Sequence, residues 1–132
     1  MDTNVVLDLF VFADQRVGAV EAAIRERRLT WIATAEMREE LDRVLEYAHI
    51  QTRLVFYGID REAVMASFDR FARIVDAPGK APLTCSDRDD QKFIDLAVHH
   101  KCMLLSKDNA VLTMKRRLAA LHVVAAATMP AC

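Results

Sequence analysis

Glycine and proline are both scarce in this chain, with three of each among its 132 residues. Because 53% of the residues are hydrophobic and no low-complexity tract is present, a disordered or collagen-like chain is excluded. The length favours one folded domain over residues 1–132. There are only three cysteines and no C-x-x-C spacing, which argues against a disulfide framework or a thiolate zinc site and favours a reducing cytoplasm.

Long hydrophobic runs are also missing. The longest runs, at 9–13 and 123–127, contain five residues each, whereas a membrane-spanning helix needs about 20. The chain does not open with a basic stretch followed by an apolar run, so we predict no secretory signal and no membrane partner. An excess of one charge is lacking too, because the formal net charge is −1. Any contact with nucleic acid must therefore come from a local cluster of Lys and Arg.

Short apolar runs rich in β-branched residues alternate with stretches of helical periodicity. This alternation is typical of an α/β fold in which helices connect the strands of a parallel sheet. The pattern predicts helices at 19–28, 34–48, 60–75, 86–100 and 108–121, and strands at 29–33, 102–106 and 123–127. Thr34 is the predicted N-cap of the second helix, and Ser86 to Asp89 form a predicted capping box.

Acidic residues recur at the ends of predicted strands, where open parallel sheets bind their ligands. Asp108 follows the strand at 102–106, and Asp90 shares a helical stripe with the apolar Phe93 and Ile94. A charge on such a stripe is costly unless it is paired or bound to a metal. Converging carboxylates raise one another's pKa, and a hard divalent ion such as Mg²⁺ or Mn²⁺ relieves the repulsion. Taken singly, each acid also fits an ordinary role as a cap or a solvated helix edge.

Four segments resemble, in order and spacing, the four acidic motifs of PIN-domain ribonucleases. They are Asp-Thr-Asn at 2–4, the segment 34–45 around Glu40, the segment 87–97 around Asp90, and Leu-Ser-Lys-Asp at 105–108. The Asp-x-Asp-Asp run at 87–90 further resembles the subgroup described as toxins of toxin–antitoxin systems. The resemblance implies a three-layer α/β/α sandwich around a mostly parallel sheet of about five strands.

The same resemblance implies hydrolysis of RNA with Mg²⁺ or Mn²⁺ as cofactor. Catalytic and metal-binding roles would fall to four acids, namely Asp2, Glu40, Asp90 and Asp108. Asn4 and Ser106 would hold these carboxylates by hydrogen bonds, and Asp87 would be an additional acid. The implied partners are an RNA substrate, a cognate antitoxin protein and a second copy of the chain in a homodimer.

One departure from the family pattern concerns the first strand. Family members carry several apolar residues before the first Asp, whereas only Met1 precedes Asp2. We therefore expect a late start assignment, a truncated chain, or a strand that begins after Asp2 at Val5–Leu7. Of these, we favour a first strand that is cut short at its N-terminus.

Two other functions remain open from the sequence. One is a catalytically inactive PIN-like module that binds RNA or a protein partner. The other is a phospho-acceptor domain of the receiver type, although no clear spacing of acceptor Asp and Lys supports it. The basic clusters at 25–28 and 115–117 are interpreted as solvated helix faces, or, for a nuclease, as contacts to the phosphate backbone.

Overall fold

The structure is a computed structural model that describes residues 1–12 and 14–128. Its elements alternate between helices and short strands, so the chain is an α/β protein. In order they are α1 Thr3–Phe10, α2 Gly18–Arg25, β1 Trp31–Ala33, α3 Ala35–Val44, α4 Ala48–Tyr57, α5 Arg61–Phe71, β2 Ala72–Ile74, α6 Gln91–His100, β3 Leu104–Leu105, α7 Asn109–Leu112, α8 Lys115–Ala120 and β4 Ala125–Ala126. Short 3₁₀ turns at Gln15–Val17 and Arg88–Asp90 precede α2 and α6.

The described residues form two compact units. The first contains Met1–Val5 and the described residues from Ala77 onward, and the second contains Val6–Asp76. No helix in the described part of the chain is long and apolar enough to cross a membrane. Cys85 and Cys102 are free thiols, and Cys132 lies outside the described residues.

The first unit is built around the parallel pair β3 and β4, in which Leu104 lies opposite Ala125. The amide of Asp2 also donates to the carbonyl of Leu105 at 2.9 Å, so the chain start runs beside β3. Helix α6 buries its apolar face and ends at His100, and the next residue, Lys101, caps it in the left-handed conformation (φ 51°). The predicted helix at 108–121 is interrupted around Met114 and forms α7 and α8.

The second unit is built around the parallel pair β1 and β2, with Trp31 opposite Ala72. The predicted N-cap of α3 is confirmed, because the Thr34 hydroxyl accepts a hydrogen bond from the Met37 amide at 3.4 Å. Trp31 is buried, and its ring packs edge-on against Phe68 with 4.9 Å between centroids. Aromatic packing therefore holds this strand pair against α5.

Residues Val5–Leu7 form part of α1, so the alternative of a strand after Asp2 is wrong. Val5 and Val6 are β-branched and prefer strands, but two features favour the helix here. The Asp2 carboxylate caps the first turn by accepting from the Val5 amide at 3.0 Å. All positions from Val5 to Leu9 are buried, so tertiary packing outweighs the intrinsic strand preference of valine.

Three further expectations need correction. Helix α4 was not predicted, because Val55 and Phe56 are 82% and 78% exposed and blur its apolar stripe. The predicted helix at 60–75 ends at Phe71, since Ala72–Ile74 pairs with β1 instead. In the predicted capping box, Ser86 is not the cap. The cap role of Asp87 is confirmed, because its carboxylate accepts from the Asp89 amide at 2.9 Å at the start of the 3₁₀ turn before α6.

The strands of the described residues lie in two parallel pairs. A single sheet of about five strands is not seen in this part of the chain. The five-stranded sheet and the three-layer sandwich therefore stay predictions of the family resemblance.

Candidate metal centre

Asp108 is positioned by the turn that follows β3. Its carboxylate caps α7 by accepting from the Ala110 amide at 3.0 Å, which confirms the ordinary N-cap role. Its own amide donates to the Ser106 hydroxyl oxygen at 3.1 Å. These two bonds orient the carboxylate while leaving further oxygen lone pairs for other ligands.

Asp90 ends the 3₁₀ turn that opens α6, and it is only 8% exposed. The Asp87 cap at the start of this turn fixes its backbone. The Oδ2 atom of Asp90 is buried and has no hydrogen-bond partner among the described residues. A buried carboxylate oxygen without a donor is costly, so this atom lacks the partner that a metal ion or a proton would provide.

The structure brings Asp87, Asp90 and Asp108 together. Each offers one carboxylate oxygen, and these oxygens lie within 4.8 Å of one another. Asp90 is buried, whereas Asp87 and Asp108 are more exposed. The cluster therefore has a buried base and a more open rim, an arrangement through which a solvated ligand could enter.

Asp2 adjoins this cluster through Ser106. It is 3% exposed, and its Oδ2 accepts a short hydrogen bond from the Ser106 hydroxyl. Ser106 is fully buried, and its single hydroxyl proton is donated to Asp2. The same hydroxyl oxygen accepts a hydrogen bond from the Asp108 amide. Burial raises the pKa of Asp2, and the hydrogen bonds from Ser106 and Val5 oppose that rise. One serine thus ties the chain start to the turn that carries Asp108.

The electrostatics of the cluster are concentrated on Asp90. The pKa of Asp90 is raised to about 7, and burial is the largest cause. A hydrogen bond between the protonated acid and Asp108 raises this pKa further. Repulsion from the negative charges of Asp108, Asp87 and Asp2 acts in the same direction. At pH values below about 7 the cluster therefore holds a proton in place of one negative charge. A divalent cation would replace this proton and relieve the same repulsion.

The residues present fit a hard divalent ion. The donors are carboxylate oxygens, which Mg²⁺ and Mn²⁺ prefer, and the Asp90 carboxylate also carries a buried Oδ2 without a hydrogen-bond partner among the described residues. Histidine and cysteine are absent from the group, which disfavours zinc.

Glu40 and Asn4 are two further predicted site residues. Glu40 lies on α3 in the second unit and is half-buried, so its place among the ligands stays a prediction. Asn4 is exposed on the first turn of α1. Among the described residues, no hydrogen bond joins its side chain to Asp2, Asp90 or Asp108.

Sequence reasoning missed Gln91, which fastens the loop before the acidic turn. Its Oε1 accepts from the Cys85 amide at 2.6 Å, and its Nε2 donates to the Leu83 carbonyl at 2.9 Å and to Asp95 Oδ1 at 2.8 Å. Asp95 also accepts from the Ala81 amide at 2.9 Å. The spacing of Gln91 and Asp95, at i and i+4 on the first turns of the helix, could have predicted their hydrogen bond.

Buried Asp8 was also missed. It lies in the second unit on α1 and is 4% exposed. The sequence feature that could have indicated it is a single carboxylate within the otherwise apolar segment 5–12. Acidic side chains are rarely buried unless they are paired.

The α/β fold thus brings together three carboxylates, two from the turn before α6 and one from the turn after β3. A family model described as PIN domain matches residues 1–110, a range that contains all four predicted acids, and the chain therefore belongs to the PIN domain family. Proteins of this family are generally nucleases that use divalent metals. No curated protein and no solved structure matches the chain.

Proposed function

We propose that this chain is a metal-dependent endoribonuclease and the toxin of a toxin–antitoxin pair, acting on RNA in the cytoplasm. The observation that carries the proposal is the buried, unpartnered Oδ2 of Asp90 within a group of three carboxylates. A carboxylate of purely structural value would be hydrogen-bonded at this depth. Membership of a family that generally consists of nucleases supports the same conclusion.

The ion would be held by Asp90, Asp108 and Asp87, with Asp2 beside them and Glu40 as a further predicted ligand. When bound, it would polarise a phosphodiester and activate a water for attack. Asp90 or Asp108 would orient this water and take its proton. Ser106 would hold Asp2 in place and favour its ionised form through its hydrogen bond.

The test is cleavage of a labelled synthetic RNA in the presence of Mg²⁺ or Mn²⁺, with EDTA as the metal-free reference. Asp90→Asn should lose more activity than the ~10–100-fold expected for a residue that only supports a ligand. Asp89→Asn is the matched control, because it removes the same charge from the same turn at an exposed position. Equal activity of both variants would contradict the proposal, and RNA binding without cleavage would favour the inactive module.

The role of Glu40 can be tested separately. Glu40→Gln should weaken Mn²⁺ binding and cleavage, whereas Glu39→Gln changes an exposed neighbour on the same helix and should leave both unchanged. The toxin assignment predicts that expression of the wild-type chain in bacteria arrests growth and that Asp90→Asn does not. Relief of the arrest by the product of an adjacent small gene would identify the antitoxin.

A further inference from the structure

Three arginines surround one aromatic ring in the second unit. The guanidinium carbons of Arg25, Arg27 and Arg70 lie 5.2, 5.4 and 5.1 Å from the centre of the Phe71 ring. Arg25 ends α2, Arg27 lies in the turn that follows, and Arg70 precedes Phe71 at the end of α5. Distances below about 6 Å fall in the range of cation–π attraction. The fold therefore gathers three positive charges from two separate segments.

These charges are only partly neutralised. Arg25 pairs with Glu21 at 2.9 Å. Within the described residues, neither Arg27 nor Arg70 has a carboxylate within ion-pair distance. The quadrupole of the Phe71 ring attracts each guanidinium, but it does not cancel the repulsion among them. An anion that contacts Arg27 and Arg70 would cancel it.

The cluster lies against a pair of stacked aromatic rings. Phe71 is buried and stacks on Phe10, with 6.5 Å between ring centroids and 15° between planes. Arg27 has a left-handed backbone (φ 59°), and its Nη2 donates to the Arg70 carbonyl at 3.5 Å. All three arginines are exposed, so their other N–H groups remain accessible. Holding these side chains in advance reduces the entropy lost when a ligand binds.

We propose that Arg25, Arg27 and Arg70, arranged around Phe71, bind the phosphodiester backbone of an RNA strand. The inference rests on the proposed function for the identity of the ligand. Guanidinium groups match phosphate oxygens through paired N–H donors and tolerate stacking on an aromatic face. With a net charge of −1, the chain has no general attraction for polyanions, so a local cluster of this kind must supply the attraction.

The test measures binding of a fluorescein-labelled single-stranded RNA in EDTA, where cleavage does not occur, between 0.1 M and 1 M salt. Each phosphate contact on a single strand contributes about 0.7 to the slope of log affinity against log salt. Loss of two contacts in Arg27→Gln/Arg70→Gln should therefore reduce the slope by about 1.4. This corresponds to about 25-fold weaker binding at 0.1 M salt, with little difference at 1 M.

The matched control is Arg16→Gln/Arg28→Gln. It removes the same charge from exposed arginines that already pair with Asp14 and Glu26 at 2.6 and 2.7 Å, so the slope should stay near the wild-type value. Arg27→Lys/Arg70→Lys keeps both charges and should recover most of the slope. Circular dichroism melts confirm that each variant is folded.

Three results would overturn the inference. The first is an equal loss of slope in the control and in the Arg27/Arg70 variant. The second is absence of RNA binding by the wild-type chain at 0.1 M salt. The third is competition by polyglutamate as strong as competition by RNA of equal charge, which would assign the cluster to an acidic protein partner. Each outcome is independent of cleavage, so it can be separated from failure of the proposed nuclease activity.

Discussion

Asp90 gives the sharpest prediction, because burial raises its pKa from 3.8 to about 7 in the folded, metal-free chain. Between about pH 4 and pH 7, Asp90 is therefore protonated in the folded state and ionised in the unfolded state. Stability contributed by this proton is complete below about pH 4 and is lost as the pH rises to about 7. The full pKa difference corresponds to about 4 kcal/mol at 1.36 kcal/mol per unit. Solvent screening at the open rim reduces the expected effect to about 2 kcal/mol.

Asp90→Asn keeps the shape of the side chain and removes the charge. At pH 8 in EDTA we expect this variant to be more stable than the wild type by about 2 kcal/mol, or about 8 °C in Tm for a chain of this size. At pH 4 the two proteins should differ little, because Asp90 is protonated in both the folded and unfolded wild type. Asp89→Asn, at an exposed position on the same turn, should change Tm by less than about 2 °C at either pH.

Added Mn²⁺ should reverse the order of stability at pH 8. A ligand present at 100 times its Kd stabilises the folded state by about 2.7 kcal/mol, and we expect this gain for the wild type and for Asp89→Asn only. The assay is a thermal melt followed by circular dichroism at both pH values, with and without metal. A metal-free Asp90→Asn variant that is less stable than the wild type at pH 8 would refute the reasoning, because Asp90 would then be a structural acceptor.

Other outcomes follow from the same contacts. Mn²⁺ affinity measured by calorimetry should rise about tenfold per pH unit below pH 7 and level off above it, since the ion displaces one proton from Asp90; a flat profile from pH 5 to 8 would contradict this. Ser106→Ala removes the hydroxyl donor to Asp2 and should lower the free energy of unfolding by about 1–3 kcal/mol in urea, whereas an unchanged midpoint would argue against this bond. Gln91→Ala should speed hydrogen exchange at the Cys85 amide, which it holds at 2.6 Å, and lower Mn²⁺ affinity, with unchanged exchange as the contrary result.

Local patterns predicted most of the α/β alternation, because periodicity and capping depend on residues within a few positions of each other. The Thr34 cap and the Asp108 cap are of this kind. Prediction failed where a distant partner decides the outcome. Val5–Leu7 is buried on a helix despite its β-branched residues, and Ala72–Ile74 leaves the helical pattern to pair with β1.

The candidate site divides in the same way. The sequence by itself determined which acids could take part, since family membership and the position of Asp90 on an apolar stripe can both be read along the chain. Only the tertiary structure decided that Asp87, Asp90 and Asp108 converge within 4.8 Å, that Ser106 donates to Asp2, and that the arginines of α2 and α5 meet around one ring. The physical reason is that pKa values and ion pairing depend on distances through space and on burial, which packing sets between residues far apart in the chain.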